Sequence, residues 1–102
     1  MIVEYIRYEV SPGDEQGLIT AYEAASEHLR AAPECLAYEL SQCEEAPQSF
    51  ILRIEWESTE QHLRGFRTGL NFRPFLAAIR HLVPNITEMR HYAPNAVCWR
   101  RS

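Results

Sequence analysis

The feature that most constrains the fold is an alternating run of side chains from residue 49 to residue 57. One face carries four large apolar side chains, Phe50, Leu52, Ile54 and Trp56, and the other carries Ile51 followed by Arg53, Glu55 and Glu57. A period of two is typical of a β-strand with one buried face. Ser58 follows, and Gln61 lies three residues later, which is the spacing of a helix capping box. The run therefore predicts a strand that leads directly into a helix from about Thr59.

Three further segments have the composition of strands. They cover residues 2–10, 35–43 and 86–92, and each is rich in β-branched, aromatic or alternating apolar side chains. In the first of them the predicted buried face is formed by Ile2, Ile6, Tyr8 and Val10. A turn containing Pro47 separates the second of these segments from the strand at residues 49–57.

Two regions have helical patterns. Residues 11–32 predict a long helix with Ser11 as its N-cap and an apolar stripe at spacings of four, three and four: Leu18, Tyr22, Ala25 and Leu29. The second region is interrupted near Gly69, after which Asn71 can cap a last segment that Pro84 ends. The order β-α-β-β-α-β predicts an α+β, ferredoxin-like fold with an antiparallel sheet.

In such a fold the helices cover only one face of the sheet. The other face is mixed here, with apolar side chains beside charged ones: Val3, Tyr5, Ala37, Ile51 and Met89. Packing this face against a second copy would remove its apolar part from water. We therefore expect a homodimer with the form of a dimeric α/β barrel, and we place His91 in a hydrogen-bond network at its interface.

Size and charge exclude several classes of protein. A chain of 102 residues with a net charge of −4 predicts one domain, which we place at residues 1–93 with a C-terminal tail at 94–102, and no nucleic-acid partner. No apolar run approaches the roughly 18 residues of a membrane span, so no membrane partner is expected. Without a secretory signal, and with three cysteines at spacings that predict free thiols, we expect a cytoplasmic protein.

A longer pattern extends from the alternating strand to the end of the last one: Glu55-Trp56-Glu57-Ser58-x-x-x-His62, then Phe66, Phe72 and Phe75, and finally Met89-x-x-Tyr92. Together with the order of elements, this pattern resembles the antibiotic biosynthesis monooxygenase superfamily of small dimeric α+β barrels. The resemblance implies a cofactor-independent monooxygenase that oxidises a small hydroxylated aromatic or quinol with O2. Such an enzyme needs a dry pocket for the ring and one group that moves a proton.

The same resemblance suggests roles for particular side chains. His62 is the candidate catalytic residue, because an imidazole of ordinary pKa exchanges protons near neutral pH. The candidate substrate-binding residues are Trp56, Phe66, Phe72, Phe75 and Arg73. Arg67 is a second candidate for holding a phenolate. The alternatives are a surface histidine, aromatic rings that simply fill the core, and arginines on a solvated helix face.

Other activities remain open or are disfavoured. The four histidines lack a paired metal-ligand spacing, so no metal is predicted, and no cofactor is expected. Nucleophile elbows and glycine-rich phosphate loops are absent. Heme-degrading members of the superfamily use an Asn on the first strand, which this chain lacks. The alternatives are a non-catalytic small-molecule or heme-binding dimer and an isomerase or cyclase on the same scaffold.

Overall fold

The structure, a computed structural model that describes residues 1–102, contains one four-stranded antiparallel sheet. Its strands are β1 (Ile2–Glu9), β2 (Cys35–Gln42), β3 (Ser49–Trp56) and β4 (Ile86–Tyr92). Their order across the sheet is β2-β3-β1-β4. Helical segments connect the strands: α1 (Glu15–Ala31), a π-helix (Gln61–Phe66), α2 (Phe72–Ile79) and a 3-10 helix (Arg80–Asn85). The predicted ferredoxin-like fold is confirmed.

The long helix begins later than the sequence suggested. Ser11 does not cap α1; its carbonyl oxygen instead accepts a hydrogen bond of 3.0 Å from the backbone N–H of Asp14. Gly13 between them has a φ of 94°, which is outside the helical region and is readily adopted only by glycine. The chain therefore makes a turn after β1, and α1 starts at Glu15. Its predicted apolar stripe is buried: Leu18, Tyr22, Ala25 and Leu29.

The second helical region contains an unusual turn. As predicted, Ser58 caps its start, since its Oγ accepts a 3.0 Å hydrogen bond from the backbone N–H of Gln61. The backbone N–H of Arg67 then bonds to the carbonyl oxygen of His62 at 3.1 Å, five residues back, which is the π-helical spacing. The π-helix ends at Phe66, and at Gly69, three residues later, an added Cβ would lie 2.8 Å from a backbone oxygen. Such turns often occur at functional sites.

A bulge in β4 changes which side chains face the helices. Arg7 pairs with Glu88, but its neighbour Tyr8 pairs with Ile86, so one residue of β4 is left over between them. An extra residue reverses the alternation beyond it. Met89 and His91 therefore lie on the helix-facing side, and our placement of both on the opposite face was wrong.

The hydrophobic core lies between the sheet and the helices. The four alternating side chains of β3 are at most 4% exposed, and Trp56 is fully buried. The opposite face of the sheet carries ion pairs, Arg7 with Glu88 at 3.1 Å and Arg53 with Glu55 at 2.5 Å. None of the helices has the length and hydropathy of a membrane span.

Candidate active site

A cavity of about 220 Å³ lies between the helix-facing side of the sheet and the second helical region. Thirteen of its sixteen lining residues are hydrophobic. The remaining three are Glu4 from β1, His62 from the π-helix and Arg67 at the end of that helix. An apolar space with a few convergent polar groups is the usual form of a small-molecule site.

Aromatic rings form one wall of this cavity. Trp56 stacks on His62 with ring centroids 4.4 Å apart and an angle of 12° between the planes. The ring centroid of Phe66 lies 5.0 Å from that of Trp56. The rings of Phe72 and Phe75 pack edge to face against the ring of Phe66, with centroids 5.6 and 5.5 Å from it. The structure therefore brings together all four aromatic residues that the sequence singled out, and all four line the cavity.

The polar centre of the site is a carboxyl group that the sequence reasoning missed. Glu4 is 1% exposed, and its Oε1 accepts a 3.0 Å hydrogen bond from the indole Nε1 of Trp56. The same oxygen lies 3.6 Å from Nε2 of His62. The alternation of β1 could have revealed this residue, because Glu4 occupies an even position and so faces the same side as Ile6 and Tyr8. It is the one charged residue on that buried face.

His62 itself is 3% exposed and is hydrogen bonded through one of its ring nitrogens. Its Nδ1 lies 2.6 Å from Nε2 of His91, so one of these two nitrogens donates a hydrogen bond to the other. His91 stands directly opposite Glu4 in the pairing of β1 with β4. It is only partly buried and does not line the cavity.

Both buried groups favour their uncharged forms. Burial raises the pKa of the Glu4 carboxyl, and this outweighs the lowering by the Trp56 hydrogen bond and the charge of Arg67. Burial, reinforced by Arg67 and His91, lowers the pKa of His62 to about 3. The expectation of an imidazole with an ordinary pKa was therefore wrong. A neutral His62 is a weak base by itself, and any proton chemistry here has to involve Glu4 as well.

The two candidate arginines differ in position. Arg67 is exposed overall but lines the cavity, where its guanidinium can meet an anion. Arg73 is exposed on α2 and lies outside the lining. The structure thus gives Arg67 the position that we had assigned to Arg73.

Two tyrosines add hydroxyl groups to the cavity wall. The oxygens of Tyr8 and Tyr22 are 2.5 Å apart, and burial raises the pKa of both phenols, so both stay protonated. Only one hydroxyl proton is used in the bond between them.

Glu4, His62 and His91 are also the group that could hold a metal ion, with ligand atoms within 4.8 Å of one another. The geometry suits hydrogen bonding better. Two nitrogen ligands of a tetrahedral ion lie about 3.4 Å apart for bonds of about 2.1 Å, whereas the nitrogens of His62 and His91 are 2.6 Å apart. In addition, Glu4 approaches one nitrogen of His62 and His91 approaches the other.

Comparison with known proteins gives the family. The family model described as antibiotic biosynthesis monooxygenase matches residues 1–88. The chain belongs to this family. Membership supports a generic monooxygenase-like role, with a small molecule and O2 as reactants.

Similar proteins agree with this assignment at the level of the fold. Protein YczJ of Bacillus subtilis (strain 168), which is uncharacterised, is 24% identical over 92 residues, or 90% of this chain and 97% of YczJ. A crystal structure named for the antibiotic biosynthesis monooxygenases, from Bordetella bronchiseptica, has a TM-score of 0.75 at 24% identity, covering 92% of this chain and 96% of its own. A variant of SnoaB, a cofactor-independent oxygenase from Streptomyces nogalater, has a TM-score of 0.76 at 15% identity, covering 94% of each chain.

Proposed function

We propose that this protein is a cofactor-independent monooxygenase that oxidises a small hydroxylated aromatic or quinol with O2. The observation that carries the proposal is the buried pair of Glu4 and His62 inside an aromatic-walled cavity. A dihydroxy aromatic supplies its own electrons, so the protein has only to bind the ring, remove a proton and exclude water.

The reaction balances without any other reductant. A hydroquinone and O2 give a hydroxyquinone and one water: one oxygen atom enters the ring and the other leaves with two hydrogens. Ionisation of a phenolic hydroxyl makes the ring a stronger reductant, and the anion can pass an electron to O2. Proton removal by a positioned group contributes roughly 10²–10⁴ to a rate.

Each group at the cavity has a role in this proposal. The Glu4 carboxyl accepts the hydroxyl proton on one oxygen while it releases its own proton from the other oxygen toward His62. Arg67 at the lining stabilises the resulting phenolate by a charge-assisted hydrogen bond. The rings of Trp56 and Phe66 hold the substrate ring and keep water from the oxygen intermediate.

The volume of the cavity limits the size of the substrate. At about 220 Å³ it is smaller than the sites of drug-sized ligands, which are roughly 300–1,000 Å³. A substrate with one or two rings fits this limit best.

Oxygen uptake with a set of dihydroquinones tests the proposal. The protein is first treated with a chelator, and no flavin or metal is added. We expect uptake above the buffer rate, and a loss of roughly 10²-fold or more in His62→Ala. His81→Ala is the matched control, because His81 is exposed and lies outside this cavity. Normal turnover by His62→Ala would contradict the role of His62.

A second candidate is an isomerase or cyclase, because the Glu4–His62 pair can also serve proton transfer alone. Turnover under anaerobic conditions separates the two functions. An isomerase or cyclase forms its product without O2, whereas the monooxygenase gives none.

We also propose that the chain is a homodimer through the open face of its sheet. Tyr5 and Tyr92 meet edge to face there at 5.4 Å, and Ile51 adds partly exposed apolar surface to the same side. Sedimentation at micromolar protein should give a particle of twice the chain mass of 11.9 kDa. Ile51→Glu should shift the measured mass from that of the dimer toward that of the single chain. A monomeric wild-type protein would contradict the proposal.

A further inference from the structure

Three ionisable side chains lie in a row from the cavity to the protein surface. Glu4 approaches Nε2 of His62 at 3.6 Å, and Nδ1 of His62 meets Nε2 of His91 at 2.6 Å. Glu4 and His62 line the cavity, whereas His91 lies outside its lining and is partly exposed. The line therefore connects the interior of the cavity with solvent.

We propose that Glu4, His62 and His91 form a proton relay that carries the hydroxyl proton of a bound phenol out of the cavity, with His91 as the exit group. The inference rests on the proposed function, because the proton belongs to the phenolic substrate. It extends that function by assigning a path for the proton and a role for His91.

The transfer can run without leaving a charge on any of the three groups. The phenol gives its proton to Oε2 of Glu4, and Oε1–H gives its proton to Nε2 of His62 when these two atoms move from 3.6 Å to hydrogen-bond distance. Nδ1–H of His62 then passes a proton to Nε2 of His91, and Nδ1–H of His91 releases one to water. In each group one bond to hydrogen forms and another breaks. One proton leaves the cavity, and the phenolate stays beside Arg67.

Several contacts hold the line in place. Stacking on Trp56 fixes the plane of the His62 ring, and the indole N–H of Trp56 orients the carboxyl of Glu4. The pairing of Glu4 with His91 across β1 and β4 sets the position of the exit group. That position depends on the bulge in β4, since strict alternation from Ile86 would turn His91 to the other face of the sheet.

The same line supplies the proton that the oxygenation later consumes. Cleavage of the O–O bond releases water, and this step needs a proton back at the cavity. Transfer from solvent through His91, His62 and Glu4 delivers it. It also restores the starting tautomers of both imidazoles, so the relay is ready for another turnover.

A test independent of oxygenation uses 3-nitrophenol, a single-ring phenol that is un-ionised in neutral buffer and changes its absorption when it ionises. Anaerobic stopped-flow mixing with the wild-type protein should show ionisation of the bound probe. In His91→Gln, whose amide can hydrogen bond but cannot relay a proton, ionisation should be roughly ten-fold slower or more with unchanged probe affinity. Added imidazole should restore the rate. The control His81→Gln should behave as wild type.

A measurement on the wild-type protein avoids dependence on the fold of the variant. The ionisation rate should be measured in mixtures of H2O and D2O. When it is plotted against the fraction of deuterium, it should fall along a curve rather than a straight line, because several protons move together. Unchanged kinetics in His91→Gln, or a bound probe that stays un-ionised in the wild type, would overturn the relay. Normal relay behaviour without oxygen uptake on any dihydroquinone would overturn the monooxygenase proposal and leave the relay standing.

Discussion

Replacement of Glu4 by glutamine separates the effect of the buried carboxyl group on stability from its effect on the reaction rate. Glu4→Gln keeps the volume of the side chain and an oxygen that can accept the hydrogen bond from Trp56 Nε1. It removes the only carboxyl group of the cavity lining. We expect the variant to be more stable than the wild type at neutral pH and to lose roughly 10²–10⁴ of its rate.

The magnitude of the stability change follows from the shifted pKa. The pKa of folded Glu4 is raised above the 4.5 of the unfolded chain, so its protonated form stabilises the fold fully below pH 4.5. That contribution is lost as the pH rises through the folded pKa, at about 1.4 kcal/mol for each pH unit inside the window. The pKa of His62 is lowered from 6.5 to about 3, so its contribution changes in the opposite sense from pH 3 to 6.5. Above pH 4.5 the contributions of Glu4 and His62 therefore oppose each other in the wild type wherever the two pH windows overlap.

Urea unfolding of both proteins at a series of pH values isolates the Glu4 contribution, because that of His62 cancels in the difference. The variant should match the wild type at pH 4.5 and gain on it steadily as the pH rises. A difference that does not change with pH would mean that Glu4 titrates as in the unfolded chain. A variant that becomes less stable than the wild type as the pH rises would mean that charged His62 holds Glu4 as a carboxylate. Either result would refute the reasoning.

Three further predictions concern individual positions. His62→Gln should abolish the part of the acid-induced stability loss that falls between pH 6.5 and about 3, as measured by urea unfolding. Arg67→Leu should lower kcat for a dihydroquinone about ten-fold, because it removes the charge that stabilises the phenolate formed in the reaction, whereas Arg73→Leu should leave kcat and KM unchanged in oxygen-uptake assays. Gly69→Ala places a Cβ 2.8 Å from a backbone oxygen and should cost about 1–3 kcal/mol, lowering Tm by several degrees in calorimetry. Gly17→Ala, with no atom within 4 Å, should not lower Tm.

Side-chain periodicity predicted most of the fold. The alternation at residues 49–57 and the strand patterns elsewhere located all four strands to within one or two residues. The capping box at Ser58 placed the second helical region correctly. Alternation and capping motifs each lie within a short segment of the chain, so they can be recognised in a single sequence. The start of α1 was missed because Gly13 adopts a left-handed conformation that residue type permits but does not require.

The candidate site was only partly predictable. The aromatic residues and His62 were selected through the resemblance to the monooxygenase family, but Glu4 was passed over although its position on β1 placed it on the buried face. The position of His91 could not be read from alternation, because the β4 bulge depends on pairing with β1. The weak basicity of His62 arises from burial and from charges on other elements, which a sequence does not display.

Oxidation under ¹⁸O2 is the most direct test of the central claim. Chelator-treated protein is supplied with a single-ring dihydroquinone, and the organic product is analysed by mass spectrometry. We predict one ¹⁸O atom in each product molecule and one in the water formed, with no flavin or metal added. Oxygen consumption that yields hydrogen peroxide and an unlabelled quinone, or no consumption above the buffer rate with any dihydroquinone, would contradict the proposed function.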